Sequence, residues 1–166
     1  PSKFGDNITT LQMCVDAIKG EVLINVISES KWYESESFPD KSRPTFINVG
    51  IKIIASLEPY QVLKIINDIE EGFGRIRTNR WESRVCDIDI IYCNKKIIPN
   101  RNILEHWISM KTEEQIIMTP QTLILPHPRI QERLFFLYPL HELSPNWCHP
   151  VLKKTAKEML DSIPQN

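Results

Sequence analysis

Between Phe46 and Ala55 the chain alternates, with Ile47, Val49, Ile51 and Ile53 separated by Asn48, Gly50 and Lys52. A period of two is that of a strand buried on one face. A few residues later the apolar spacing lengthens to that of a helix. Pro59 stands where a first turn tolerates it, Val62, Ile65, Ile66 and Ile69 form a stripe, and Gly72 and Gly74 end it. A chain that changes period so abruptly must lay a helix on a sheet.

The same reading extends outward. Ile8, Leu11, Val15 and Ile18 share one helical face, with Asp6 or Asn7 as cap and Gly20 as stop. Residues 22–33, rich in Val, Ile, Trp and Tyr, predict a strand, 34–44 a polar loop, and Val85–Cys93 a further strand. The order is helix, strand, strand, helix, strand. One strand in front would complete βαββαβ, so the expected fold is α+β: a ferredoxin-like two-layer sandwich with additional C-terminal helices. That first strand is absent from the sequence given. It is expected just upstream of Pro1, or else replaced by another segment such as 103–119, with Ile116, Ile117 and Met118. Residues 104–119 fit a short helix or a loop equally well. Leu152, Ala156, Met159, Leu160 and Ile163 predict a final helix.

At 166 residues the chain suits a single domain, and 42% apolar with 25% charged residues is ordinary for a globular protein. A net charge of −1 argues against a mainly electrostatic nucleic-acid binder. There is no membrane-length apolar run and no secretory signal pattern. The four cysteines, Cys14, Cys86, Cys93 and Cys148, form no C-x-x-C pair, which argues against a thiolate zinc site and a disulfide framework. The expected compartment is the reducing cytoplasm.

The chemistry concentrates in two places. Asp87 and Asp89 alternate with Ile88 and Ile90, so on a strand both carboxylates share one side. Paired carboxylates favour a hard cation between them, and Mg²⁺ suits oxygen ligands. Arg75, Arg77, Arg80 and Arg84 lie in the loop that feeds this strand, and arginine forks match phosphate oxygens. Trp81, among them, either packs the loop or covers a flat base. The second place is His127, held between prolines and followed by Arg129 and Arg133, which again suggest phosphate. Phe46, Asn48 and Phe135 read as core on spacing alone. No P-loop, G-x-S-x-G or H-E-x-x-H motif is present. The residues themselves lead to a Mg²⁺-dependent enzyme acting on a phosphorylated substrate.

Three blocks then resemble one family. The run IEEGFGRIRTNRWESRVCDIDIIYC is similar to the signature I-E-x-x-x-G-R-x-R-x-x-R-W-x-x-R-x-x-D-[IL]-D of 6-hydroxymethyl-7,8-dihydropterin pyrophosphokinases. LPHPRIQERLFFLYPLHEL resembles their Pro-His-Pro-Arg block, and PTFINVGI their F-x-N strand. The resemblance spans about Pro44 to Pro145, in order. It implies transfer of pyrophosphate from ATP to the hydroxymethyl group of a reduced pterin, leaving AMP, in folate biosynthesis.

Carried over by position, Asp87 and Asp89 match the ligands of two Mg²⁺ ions. Arg75, Arg84 and Arg133 match phosphate-contacting arginines, the first two catalytic, while Arg77 and Trp81 belong to the loop that closes over ATP. Glu70 and His127 match nucleotide contacts. Phe46 and Phe135 match the rings that sandwich the pterin, and Asn48 the amide at its edge. Departures are Glu82 and Ser83 in place of the family's Gly-Pro, Lys3 in place of an asparagine, and an apparent insertion at 104–119. The expected partners are ATP and a reduced pterin, with no nucleic acid and no membrane. The expected state is a monomer, and fusion to other folate-pathway enzymes occurs in the family. The rival readings are another D-x-D phosphoryl or nucleotidyl transferase and a non-catalytic ferredoxin-like module of the RNA-binding kind.

Overall fold

A computed structural model describes residues 6–36, 40–74, 86–111, 113–114 and 122–164. The chain forms two compact units, Pro1–Asp89 and Ile90–Asn166.

In the first unit, α1 spans Asn7–Lys19. Asp6 caps it by accepting the Thr9 N–H at 2.7 Å, a bond that also holds the Asp6 carboxyl below its ordinary pKa. Gly20 ends it, its N–H returning to Asp16 O at 2.9 Å. The buried positions are Thr10, Cys14, Val15 and Ile18, whereas Ile8 is exposed. The buried face is therefore rotated from the 8-11-15-18 stripe, with Thr10 and Cys14 replacing Ile8. Val15 and Ile18 belong to both faces, so the apolar spacing alone left the rotation undecided.

Strands β1 (Asn25–Ser35) and β2 (Phe46–Ile54) pair antiparallel, with Tyr33 opposite Asn48 and Ser35 opposite Phe46. The ladder shifts register between Glu29 and Trp32. There the Ser30 hydroxyl accepts the Gly50 N–H at 2.8 Å, so a side chain replaces the ladder bond that the bulge removes. Helix α1 packs on both strands. Its last turn is tied to β1 through Glu29, which accepts from Lys19 Nζ at 3.0 Å and Trp32 Nε1 at 3.1 Å and is held below the ordinary carboxylate range by them. Helix α2 (Pro59–Gly72) starts at Pro59, with the Gln61 side chain accepting the Glu58 N–H at 2.8 Å, and buries Val62, Ile66, Ile69 and Glu70. Gly74 then turns the chain at φ +85°, a conformation that a side chain would strain.

Two expectations need correction here. Residues 86–93 form no strand. A strand exists only with a ladder partner; the sheet among the described residues consists of β1 and β2, and the strand expected ahead of α1 is not among them. The alternation itself survives, since Asp87 and Asp89 are exposed while Ile88 and Ile90 are partly buried. The second concerns sulfur. Cys14 and Cys86, 72 residues apart, lie sulfur against sulfur, both buried, with Cα atoms 7.0 Å apart. Sequence spacing could not report this, because folding α1 against the segment before Asp87 creates the neighbourhood. Cys93 and Cys148 are free thiols.

In the second unit, Ile98 and Leu125 form an antiparallel bridge. Helix α3 (Arg101–Ser109) follows, capped by Asn100 accepting the Ile103 N–H at 3.0 Å, which settles the first part of the 104–119 segment as helix. A 3₁₀ turn (Ile130–Glu132) leads into α4 (Leu134–Leu143), and α5 (Ala156–Asp161) closes the unit. Its core is Ile130, Leu137, Leu140, Ala156 and Met159, flanked by Ile91, Tyr92, Trp147 and Leu152. The Tyr92 hydroxyl and Ser144 Oγ share a 2.6 Å hydrogen bond. The turn before α5 is built around His149, which is fully buried. Its Nδ1 accepts the Val151 and Leu152 N–H groups at 3.1 and 3.0 Å, and Lys153 takes a left-handed φ of +57° to close the turn. No helix among the described residues is long and apolar enough to cross a membrane.

Candidate active site

The first unit carries Phe46, Asn48, Glu70, Asp87 and Asp89. Phe46 begins β2 and is 44% exposed, so the core reading suggested by spacing does not hold for it. Asn48, two residues on, is anchored within the sheet, its Nδ2 donating to Ser35 Oγ at 2.7 Å and Tyr33 O at 3.3 Å. Those bonds occupy the donor end of the amide, and the carbonyl oxygen is the end it can offer to a ligand. Glu70 is buried near the end of α2, 3% exposed.

Asp87 and Asp89 stand exposed on either side of half-buried Ile88, next to the buried Cys86 that pairs with α1. This donor set fits Mg²⁺, which takes one or two carboxylates and completes its shell with substrate phosphates and water. A cage of three or more ligating side chains is not found among the described residues, and Mg²⁺ held with a phosphate substrate does not need one.

The second unit gathers His127, Arg133 and Phe135 around Phe136. The His127 ring lies 4.7 Å from Phe136, Phe135 meets Phe136 edge to face at 4.7 Å, and the Arg133 guanidinium sits 5.7 Å and 5.5 Å from the Phe135 and Phe136 centroids. Phe136 is buried and is the residue that sequence reading missed; the Phe-Phe doublet in LFFLYPL was its only signal. His127 Nδ1 accepts the Arg129 N–H at 3.1 Å, so the imidazole proton resides on Nε2. Burial, together with the charges of Arg133 and Arg129, pushes the His127 pKa down to about 3. At neutral pH the ring is an uncharged donor, suited to a phosphate or ribose oxygen.

Arg129 is not the phosphate contact that its position suggested. It is 4% exposed, and its guanidinium donates to carbonyls at the C-terminal end of α3: Trp107 O at 2.6 Å and, on the capping residue, Met110 O at 3.2 Å. Burying a guanidinium demands such partners, and those carbonyls were invisible in the sequence. Arg75, Arg77, Arg80, Trp81 and Arg84, with Glu82 and Ser83, lie outside the described residues, as do Lys3 and Ile116–Met118.

Comparison with known proteins identifies the chemistry. The family described as 7,8-dihydro-6-hydroxymethylpterin-pyrophosphokinase matches residues 2–145. The chain is 31% identical over 160 residues to the 2-amino-4-hydroxy-6-hydroxymethyldihydropteridine pyrophosphokinase of Bacillus subtilis, covering 96% of this chain and 81% of that protein. It is 29% identical over 157 residues to the enzyme of the same name from Aquifex aeolicus, with 95% and 84% coverage. It is 33% identical over 163 residues to the folic acid synthesis protein FOL1 of Dictyostelium discoideum, where it spans 98% of this chain but 22% of the longer protein. With the Asp87/Asp89 pair, the Pro-His-Pro block and these matches in agreement, the chain belongs to the 7,8-dihydro-6-hydroxymethylpterin-pyrophosphokinase family, ATP-dependent enzymes of folate synthesis.

Proposed function

We propose that this chain transfers the pyrophosphate of ATP to the hydroxymethyl group of 6-hydroxymethyl-7,8-dihydropterin with the following division of labour. Asp87 and Asp89 hold Mg²⁺, two ions in our reading, and when bound the metal neutralises the triphosphate. Arg133, Arg75 and Arg84 bind phosphate oxygens and stabilise the charge that spreads over the β-phosphoryl group. Arg77 and Trp81 close over the nucleotide, Glu70 and His127 contact it, and His127 does so as a neutral Nε2–H donor. Phe46 and Phe135 offer aromatic faces to the pterin, and Asn48 offers its amide oxygen to the pterin's N–H edge.

The pterin hydroxyl oxygen attacks the β-phosphorus in line. Its bond to phosphorus forms as the bridge from that phosphorus to the α-phosphate breaks, AMP leaves with the bridging oxygen, and the hydroxyl proton passes to solvent. No side chain is assigned as a dedicated base; positioning and charge stabilisation supply the rate.

The observation that carries this reading is the group formed by His127, Arg133 and Phe135 around Phe136. It joins a phosphate-matching cation, a neutral donor and an aromatic face. In the same reading, α1, β1, β2 and α2 are parts of a ferredoxin-like sandwich whose acidic segment is Cys86–Cys93. The enzyme works as a monomer in the cytoplasm.

Calorimetry tests it directly. A non-hydrolysable ATP analogue should bind only with Mg²⁺ present, and the pterin should bind measurably tighter once the analogue is in place. Pterin-independent nucleotide transfer, or tight binding of single-stranded RNA, would favour one of the rival readings instead.

A further inference from the structure

We propose that Arg129 is a positioning residue that fastens α3 to His127 and thereby sets the tautomer and aim of the imidazole. The proposal rests on the reading of His127 as a nucleotide contact, and adds a residue and a helix to it.

The guanidinium of Arg129 is enclosed, and its closest partners are neutral carbonyls at the end of α3. Nη2 donates to Trp107 O at 2.6 Å, and Nη1 to Met110 O at 3.2 Å. Nη1 also reaches toward Ile108 O and Glu132 Oε1, each at 3.5 Å. The last carbonyls of a helix lack intrahelical donors and carry its partial negative charge, so a cation there is a cap supplied from another part of the chain. Glu132 is no substitute: its side chain is 44% exposed and the ion pair long. A residue built to grip phosphate would present its fork to solvent, and this one is only 4% exposed.

The same residue holds His127 through its backbone. The Arg129 N–H donates to His127 Nδ1 at 3.1 Å, while the His127 N–H donates to Ile91 O at 2.8 Å and the ring rests against Phe136. Rotating the imidazole would break the Nδ1 bond, so the direction of Nε2–H follows the position of the Arg129 backbone. That position is set in turn by the carbonyls its side chain spans. Helix α3 begins at Arg101, capped by Asn100, so loosening the helix from that remote end should be felt at His127.

The test reads the ring nitrogens of His127 by ¹⁵N NMR, alongside steady-state kinetics of the whole chain. Wild type should show a single neutral tautomer with the proton on Nε2. Arg129→Ala should give mixed or broadened ring signals and raise KM for ATP about tenfold, the worth of one aligned hydrogen bond, with kcat changed less than about twofold. Arg129→Lys, which reaches one carbonyl rather than several, should fall between. Asn100→Ala should shift the ring signals in the same direction by less.

His127→Ala separates the two layers of the argument. If it leaves KM for ATP unchanged, the nucleotide reading of His127 fails. If it raises KM while Arg129→Ala leaves both the tautomer and KM as in wild type, the positioning role is overturned. Should Arg129→Ala not fold, unchanged His127 ring signals in both Arg129→Lys and Asn100→Ala would overturn it equally.

Discussion

Replacing His149 with asparagine should remove a defined part of the acid sensitivity of this protein. The imidazole is fully buried, accepts two backbone N–H groups through Nδ1, and lies edge to face with Trp147 at 5.7 Å. Its Nε2 hydrogen finds no partner among the described residues. Protonating Nδ1 would turn an acceptor of two bonds into a donor facing two donors, and burial pushes the His149 pKa from 6.5 down to about 4.

The sign follows from linkage. A folded-state pKa below the unfolded value means that the unfolded chain takes up the proton first. Stability is therefore complete above pH 6.5, is lost as the pH falls toward 4, and loses nothing further from this group below that. By pH 4.5 the loss is about 2.5 kcal/mol. Urea unfolding between pH 7.5 and 4.5 measures it while most carboxylates remain ionised. Asparagine can place its carbonyl oxygen where Nδ1 was, so His149→Asn should keep the turn. It should cost about 1–2 kcal/mol at pH 7.5 from the smaller side chain. Its stability should then fall with acid by about 2.5 kcal/mol less than wild type. His127, whose pKa is also depressed, contributes to both proteins and cancels in the difference. Parallel stability–pH curves for the two proteins would refute the argument.

Other outcomes follow from the same structure. Asp87→Ala and Asp89→Ala should abolish turnover while circular dichroism and melting temperature stay close to wild type, since both side chains are exposed; near-normal Mg²⁺-dependent activity in both would remove them from the metal site. Phe46→Ala and Phe135→Ala should weaken pterin binding far more than binding of an ATP analogue, because stacking on each ring is worth about 0.5–1.5 kcal/mol beyond its area. Equal losses for the two ligands in calorimetry would return these rings to a structural role. Leu137→Ala, at the centre of the second unit's core and fully buried, should destabilise by about 2–5 kcal/mol in urea, and a loss below 1 kcal/mol would mean that this core is not packed as described.

What this sequence determines by itself is whatever local spacing and chemistry can carry. Asp6 and Gly20 bound α1, Pro59 and Gly72 bound α2, and the alternation after Phe46 makes β2, because caps, proline geometry and side-chain period act within a few residues. The alternation of Asp87 and Asp89 with isoleucines was legible for the same reason, and the motif blocks pointed to the family. The tertiary structure decided the rest. Which face of α1 is buried depended on the strands it meets, and Cys14 found Cys86 only because the fold closes the sequence gap between them. The segment after Cys86 showed strand periodicity without becoming a strand, since a ladder needs a partner that no local pattern supplies. Arg129 read like the other arginines of the sequence until α3 surrounded it with carbonyls, and His149 had no distinguishing context until the backbone turned around its ring. An arginine or histidine carries the same side chain everywhere. Its function follows from the donors, acceptors and water that the fold leaves around it.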